Sequence, residues 1–211
     1  ISIILSIIGE QPVSVNCQGS AHITPGIEDV TMMCLGFERQ RTAIIHSSWL
    51  DPRKVREMTI VGSKRMIVYD DVAPLEKIKI FDARVERPPH YDTFAEFHYA
   101  YHYGDTYAPY IKQEEPLKNE CQHFLDCIKN GATPITDGKQ GLELVRILEA
   151  SSESLKKGGA PVHLQASPSH ANGNGFAAEH SIRVSVMEVA KNKNARRAGR
   201  KPRLKLRVQA R

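Results

Sequence analysis

A group of cations beside an aromatic side chain is the part of this sequence whose residue types best suit ligand binding. Trp49 ends a predicted strand, and Arg53, Lys54 and Arg56 follow it across a corner that contains a proline. Guanidinium and ammonium groups bind carboxylates and phosphates, and aromatic faces attract cations. The group could therefore hold a carboxylate, a phosphate or a sugar hydroxyl, although an ordinary solvated turn has the same residues.

Other patterns have the spacing of a chemical site but lack the companions that such a site needs. Glu120 and His123 are spaced like a metal-binding pair on a helix, yet a di-metal bundle needs a second pair and two more glutamates. Ser154 and Lys157 lack the companion motifs of a Ser/Lys nucleophile. Residues 173–178 fit a Gly-x-Gly-x-x-Ala fingerprint, but no buried strand leads directly into them and no βαβ unit follows. We expect ordinary structural roles for all three, and no metal site.

The cysteines and the apolar runs indicate the class of protein. The four cysteines form no C-x-x-C pair, so we predict reduced core thiols in a cytoplasmic protein. No run of 18 apolar residues exists, so no membrane span is expected. The first residue is Ile rather than Met, which suggests a processed product, a fragment or a partial reading frame.

The charge divides the chain into two parts. Residues 165–211 hold 11 Lys or Arg and 2 Asp or Glu, a net charge of +9, whereas residues 1–164 hold 18 and 22, a net charge of −4. We therefore predict a domain over 1–164 and a basic, low-complexity tail over 165–211. Residues 191–211 are expected to be disordered and could contact nucleic acid non-specifically.

The elements that must position the candidate residues follow in the order helix, strands, helices. A helix is predicted over 1–8, ending at Gly9, and two more over 116–130 and from Asp137 to Lys157. Strands are predicted over 13–17, 29–37, 41–49, 58–61, 66–69, 77–82 and 94–103, and one more is possible over 181–189. This order favours an α+β fold with a predominantly antiparallel, open-faced sheet and helices packed on one face.

The last two helices each carry apolar residues at helical spacing. We expect one buried stripe on the first of them and one inner face on the second. The members are Cys121, Phe124, Leu125 and Ile128, then Leu142, Val145, Leu148 and Leu155.

An ordered series of segments resembles the C-terminal domain of the Gfo/Idh/MocA family of NAD(P)-dependent sugar oxidoreductases. The resemblance covers about residues 1–164 and is particularly close to members that act on nucleotide sugars or sugar acids. The segments that carry it are Ser48-Trp49-Leu50-Asp51-Pro52-Arg53-Lys54-Val55-Arg56, Val61-Gly62-Ser63-Lys64, Tyr69-Asp70-Asp71, Tyr103-Gly104-Asp105 with Pro109, Glu115-Pro116-Leu117 with Glu120, His123 and Phe124, Pro134 with Asp137 and Gly138, and Ser154-Leu155 with Gly158, Gly159, Pro161 and Val162.

The resemblance implies a substrate site between this sheet and a dinucleotide-binding domain, and oligomer contacts through the open sheet face. The family's Gly-rich cofactor turn, its Glu-Lys-Pro lysine and its Asp and His before the first helix have no match in this chain. We therefore assign no catalytic, cofactor-binding or metal residue. The residues that match the family's substrate wall, and so are candidate substrate contacts, are Trp49, Lys54, Arg56, Tyr101, His102 and Tyr103.

The resemblance thus predicts the C-terminal part of a sugar or nucleotide-sugar dehydrogenase. Such a part would supply the substrate wall and the subunit interface of a homo-oligomer and would be inactive alone. NAD or NADP would bind to the full-length enzyme rather than to this chain. Two alternatives stay open, a non-catalytic binding or scaffold module and a basic-tailed protein associated with nucleic acid.

Overall fold

The computed structural model describes residues 1–86, 100–164 and 183–189. The described residues form an α+β fold, as predicted, and the helices are α1 (Ser2–Ile8), α2 (Pro116–Asn130) and α3 (Gly138–Lys156). The strands are β1 (Ser14–Ser20), β2 (Val30–Gly36), β3 (Thr42–Ser48), β4 (Arg56–Val61), β5 (Met66–Asp70), β6 (Ile78–Glu86), β7 (Ala100–Tyr107), β8 (Val162–His163) and β9 (Arg183–Val189). A 3-10 turn spans Glu38–Gln40.

The described strands form one sheet in the order β7-β6-β5-β4-β9-β3-β2-β1-β8. The neighbours are antiparallel except β3 and β9, which run parallel. The predominantly antiparallel sheet is therefore confirmed. The predicted turn between β4 and β5 is also present, where the Gly62 N–H donates to the Arg65 carbonyl at 3.1 Å.

Strand β9 confirms the possible strand over 181–189 and lies in the middle of the sheet. Its backbone pairs with β3, from Thr42 opposite Arg183, and with β4, from Arg56 opposite Glu188. Seven residues of the range assigned to the tail therefore belong to the sheet. The domain boundary at residue 164 stays a prediction, since residues 165–182 and 190–211 lie outside the described residues.

The core lies between one sheet face and the helices α1 and α3. Side chains alternate between faces along a strand, and the pairing of Val15 with Leu35 and of Leu35 with Ala43 places apolar residues on the same face. Ile4 of α1 and Ile147 of α3 are buried in the same cluster. Helix α1 ends as predicted at Gly9, whose φ of 74° suits glycine.

Ser154 attaches the end of α3 to β1. Its fully buried hydroxyl accepts the Cys17 N–H at 2.9 Å and donates to the Ala160 carbonyl at 2.6 Å. The hydroxyl therefore satisfies backbone groups of β1 and of the connection between α3 and β8. Burial, followed by the charge of Glu28, raises the pKa of the Cys17 thiol, which suits an inert packing role.

The predicted inner faces of the last two helices were wrong within the described residues. The stripe on α2 is exposed, and the residue that α2 buries is Cys127. Leu142, Val145 and Leu148 of α3 are about half exposed, while Leu155 is partly buried. The buried face of α3 carries Ile147, Ala150, Ser151 and Ser154. Small residues let a helix approach a sheet closely, and the hydroxyl of Ser154 then reaches the β1 backbone, so this face packs on the sheet.

The cysteines agree only in part with the prediction. All four are free thiols, and Cys17 and Cys127 are buried, but Cys34 is half-buried and Cys121 is exposed. The core role was therefore wrong for Cys121, which lies on the uncovered stripe of α2. Among the described helices, none is long and apolar enough to cross a membrane.

Candidate functional site

Trp49 lies at a fixed corner where β3 ends. Its N–H donates to the carbonyl of Asp29 at 2.8 Å, and the Ser48 hydroxyl accepts the Leu50 N–H at 3.1 Å. Ser48 is buried, whereas half of the Trp49 surface is exposed. The backbone at Trp49 and Leu50 is thus held by hydrogen bonds, while the exposed half of the indole can contact a ligand.

Arg56 begins β4 and is held by Asp71. The Asp71 N–H donates to the Arg56 carbonyl at 2.9 Å, and the guanidinium Nη1 lies 3.6 Å from Asp71 Oδ2. The Tyr69 hydroxyl donates to Asp71 Oδ1 at 2.9 Å, and Lys77 Nζ lies 3.9 Å from the same oxygen. The Tyr69 hydrogen bond holds the pKa of Asp71 below its usual value, and the charges of Lys77 and Arg56 act in the same direction against partial burial. Burial, and then Asp71 itself, raises the pKa of Tyr69.

The structure brings Trp49, Lys54 and Arg56 to the same end of the sheet. Ser48 at the end of β3 and Arg56 at the start of β4 pair with adjacent residues of β9, so two strand spacings, about 10 Å, separate β3 from β4. Lys54 lies in the connection between them and forms no ion pair with another described residue. This corner therefore combines an exposed aromatic face with two cations, a suitable combination for a ring that carries an anionic group.

The three candidates on β7 lie on two opposite faces of the sheet. Tyr101 and Tyr103 share a face, where their rings stack with centroids 6.4 Å apart and are 65% and 80% exposed. His102 points to the other face, where its Nε2 lies 3.1 Å from Asp82 Oδ2. The Arg84 guanidinium lies 3.1 Å from the other oxygen of Asp82.

A register shift in β7 determines which of its side chains lie on the core face of the sheet and which lie on the open face. Phe81 pairs with Thr106 but Ala83 pairs with Tyr103, so β7 has one extra residue between these pairs. Counting pairs from the core residues across the sheet puts Asp82 and His102 on the face that carries the core. Tyr101 and Tyr103 are consequently on the open face. The hydrogen bond from His102, followed by the charges of His102 and neighbouring arginines, lowers the pKa of Asp82 against partial burial.

The two groups of candidates do not meet. Arg56 lies beside the end of β5 and the start of β6, where Tyr69 pairs with Ile78. His102 pairs with Arg84, six residues further along β6, a distance of about 20 Å along the strand. The structure therefore divides the candidate wall into a Trp49 corner and a separate β7 group.

Sequence reasoning missed Asp29, which it treated only as the first residue of a strand. The side chain is buried, and its Oδ2 accepts the N–H groups of His22 and Ile23 at 2.7 and 2.8 Å. Burial by itself raises the pKa of Asp29, but the hydrogen bonds from the His22 and Ile23 N–H groups, together with the charge of His22, leave the pKa below its usual value. The available signal was an Asp placed after a loop that contains Gly26, since Asp often binds nearby backbone N–H groups.

The patterns set aside in the sequence have structural partners. The Ile135 N–H donates to His123 Nε2 at 3.1 Å, so this nitrogen fastens the α2–α3 connection. Ser154 is fully buried, and Lys157 Nζ donates to Glu153 at 2.5 Å. Within the described ranges, no cluster of three or more His, Cys, Asp or Glu could hold a metal ion. Residues 173–178 lie outside the described residues.

Comparison with known proteins gives a family match over part of the chain. Residues 1–68 match the family model described as GFO/IDH/MocA C-terminal domain. Among curated proteins, none matches the sequence.

Solved structures of dehydrogenases share the fold. UDP-N-acetylglucosamine 3-dehydrogenase GnnA from Acidithiobacillus ferrooxidans is similar with a TM-score of 0.56 at 18% identity, covering 74% of this chain and 46% of that chain. The WlbA dehydrogenase from Bordetella pertussis, in complex with NADH and UDP-GlcNAcA, is similar with a TM-score of 0.52 at 18% identity, covering 79% and 42%. A levoglucosan dehydrogenase in complex with NADH and L-sorbose is similar with a TM-score of 0.54 at 14% identity, covering 74% and 46%. The chain thus spans less than half the length of each of these proteins.

Proposed function

We propose that this chain, which has the fold of a Gfo/Idh/MocA C-terminal domain, is the substrate-side part of an NAD(P)-dependent sugar or nucleotide-sugar dehydrogenase. The observation that carries the proposal is the combination of this fold with a length of 42–46% of the dehydrogenases that share it. The other part of such an enzyme would be the dinucleotide-binding domain. Because this chain has no match to the family's cofactor turn or catalytic lysine, we expect no catalysis from it alone.

The uncovered apolar stripes support the presence of a further domain. Phe124 and Ile128 of α2 and Val145 and Leu148 of α3 are about half exposed or more among the described residues. Large apolar side chains exposed on one helix face often mark an interface. We assign this surface to the dinucleotide-binding domain.

The Trp49 corner is the proposed substrate wall. The exposed indole can pack against the apolar face of a sugar or base ring, and Lys54 and Arg56 can pair with a phosphate or carboxylate of the same substrate. In the complete enzyme, a hydride would pass between a sugar carbon and the nicotinamide while an acid/base group moves the hydroxyl proton. No residue of this chain is assigned to either transfer.

The two faces of β7 suggest two roles for its candidates. Tyr101 and Tyr103 lie on the open face, which the family resemblance links to oligomer contacts, so we assign them to a homo-oligomer interface. His102 lies on the core side with Asp82 and keeps its candidate role as a substrate contact. Tyr103→Asp should then lower the oligomer mass measured by light scattering, whereas an unchanged mass would exclude this interface.

Binding of uridine diphosphate N-acetylglucosamine tests the substrate wall. Calorimetry should show binding by the full chain and about a tenfold higher Kd for Arg56→Ala, the loss of one charge-assisted contact. Lys64→Ala is the control, since it removes an exposed cation from the turn at the far end of β4. Equal affinities for both variants would contradict the assignment of Arg56, and no binding by the native chain would contradict the wall.

The mass of the endogenous protein tests the missing domain. A mass larger by about 100 residues or more would leave room for a dinucleotide-binding domain. A mass equal to that of this chain would instead favour a binding module without catalysis.

A further inference from the structure

We propose that Asp29 is a positioning residue that holds Trp49 and the loop of residues 21–28 together as one ligand-contacting unit. The ligand-contacting role rests on the proposed function. The positioning of Trp49 is a separate claim and can be measured without a ligand. We call residues 21–28 the Asp29 loop.

Asp29 joins three parts of the chain with four hydrogen bonds. Its N–H donates to the Ser20 carbonyl at 3.0 Å, at the end of β1, and its carbonyl accepts the Trp49 N–H at 2.8 Å, after β3. Its carboxylate Oδ2 accepts the N–H groups of His22 and Ile23. One residue thereby fixes the backbone of the Asp29 loop and the backbone of Trp49 relative to each other.

The carboxylate does more than fill space in this position. Asp29 is only 7% exposed, and its second oxygen, Oδ1, is buried without a hydrogen-bond partner in the described part of the chain. Burying such a group is unfavourable unless it is compensated. The compensation comes from charge-assisted bonds to the two loop N–H groups, which an uncharged side chain makes less strongly.

The unit that Asp29 holds presents an apolar surface. Ile23 and Ile27 of the Asp29 loop are 66% and 65% exposed, and Trp49 and Leu50 of the corner are about half exposed. Exposed apolar side chains grouped at one place mark a binding surface. Because Lys54 and Arg56 follow in the same corner, the surface suits a ligand that has both an apolar ring face and an anionic group. Ile23 therefore extends the proposed wall beyond the family segments.

The single tryptophan of the chain allows a direct test, because all tryptophan fluorescence comes from residue 49. In the full chain, Asp29→Ala keeps the backbone carbonyl that accepts the Trp49 N–H but removes the acceptor of the His22 and Ile23 N–H groups, so the Asp29 loop is released beside Trp49. The emission should then shift to longer wavelength, and acrylamide quenching should increase. Glu28→Gln, which removes the exposed neighbouring carboxylate, should leave both unchanged. Native quenching in a folded Asp29→Ala variant would overturn the proposal.

A second variant covers the case in which Asp29→Ala does not fold. Asp29→Asn keeps the side-chain volume and one acceptor oxygen, so it should give intermediate quenching. Far-UV circular dichroism would confirm that it is folded. Native quenching in folded Asp29→Asn together with an unfolded Asp29→Ala would assign Asp29 to stability alone and overturn the proposal.

Titration with uridine diphosphate N-acetylglucosamine separates this inference from the proposed function. If both hold, the Kd of Asp29→Ala rises about tenfold over the native chain. Increased quenching in Asp29→Ala without any binding by the native chain would support the positioning of Trp49 and contradict the proposed function. Native quenching and native Kd in that variant would overturn the positioning while leaving the proposed function in place.

Discussion

The Tyr69 hydroxyl donates a hydrogen bond to Asp71 Oδ1 at 2.9 Å, and the other oxygen of that carboxylate faces Arg56. Tyr69 packs against the core with its ring, so it links the buried face of the sheet to a cation of the proposed wall. The ammonium group of Lys77 also lies 3.9 Å from Asp71 Oδ1 and forms an ion pair with it. A carboxylate between two cations and a fixed phenol keeps Arg56 at the sheet end without leaving it as an unpaired charge.

This arrangement predicts a pH dependence of stability. The folded pKa of Asp71 lies below its unfolded value, so its contribution is present above the unfolded pKa, near 4, and is lost as pH falls through the folded pKa. Because Asp71 and Arg56 are each almost half exposed, we expect a contribution of only about 0.5 kcal/mol. The free energy of unfolding measured in urea should fall less steeply between pH 6 and about pH 3 for Asp71→Asn than for the native chain.

The exposed pair of Glu76 with Lys79 supplies the control. An exposed ion pair of this kind contributes little to stability, so Glu76→Gln should keep the acid dependence of the native chain. The same slope in Asp71→Asn as in the native chain would show that the Tyr69 contact contributes nothing to folding.

Local signals in the sequence predicted most of the fold correctly. The alternation of apolar residues predicted β1 to β6, and the Gly62 turn between two β-rich runs predicted the hairpin of β4 and β5. The strand predicted over 94–103 overlaps β7 only from Ala100, because residues 94–99 lie outside the described residues and β7 continues to Tyr107. The two-residue strand β8 was not predicted. The position of β9 between β3 and β4 could not be predicted in this way, because pairing between residues 42–48 and 183–189 has no local signature. The extra residue in β7 likewise reversed the faces of Tyr101 and His102 without a change in pattern.

The candidate site was predicted only where the residues are close in sequence. Trp49, Lys54 and Arg56 come together because they lie within seven positions of one another in the sequence. Asp29 was missed because its function depends on backbone groups from three elements rather than on a motif. The inner face of α3 was missed because helical periodicity favoured the row of Leu142, Val145 and Leu148. The face that packs on the sheet instead combines Ile147 with the small residues Ala150, Ser151 and Ser154.

Ser154→Ala should destabilise the chain by about 1–3 kcal/mol, because it leaves the buried Cys17 N–H without an acceptor. Ser152→Ala is a matched control on the same helix, where the exposed hydroxyl donates only to the Leu148 carbonyl. That variant should stay within about 0.5 kcal/mol of the native chain. Chemical denaturation measures both, and equal losses would contradict the role of Ser154 at the α3–β1 contact.

Phe124→Ser and Ile147→Ser should lower the free energy of unfolding by different amounts, although each replaces a large apolar residue on a helix. Ile147 is buried in the core, so its loss should cost about 3 kcal/mol or more. Phe124 is 60% exposed on the stripe assigned to the dinucleotide-binding domain, so its loss should cost about 0.5 kcal/mol or less in this chain. Denaturation curves give both values, and a large loss at Phe124 would mean that the stripe is covered within the chain itself.

Proline at position 185 tests whether β9 is part of the sheet. Ser185 pairs with Ile44 of β3 and with Thr59 of β4, so it lies in a strand with neighbours on both sides. Proline removes an N–H and is excluded from central strands, so Ser185→Pro should lower the free energy of unfolding by about 3 kcal/mol. Ser185→Thr keeps the N–H and should leave stability close to native. If proline and threonine gave the same stability in urea unfolding, β9 would not contribute to the sheet, and the predicted boundary at residue 164 would mark the end of the folded domain.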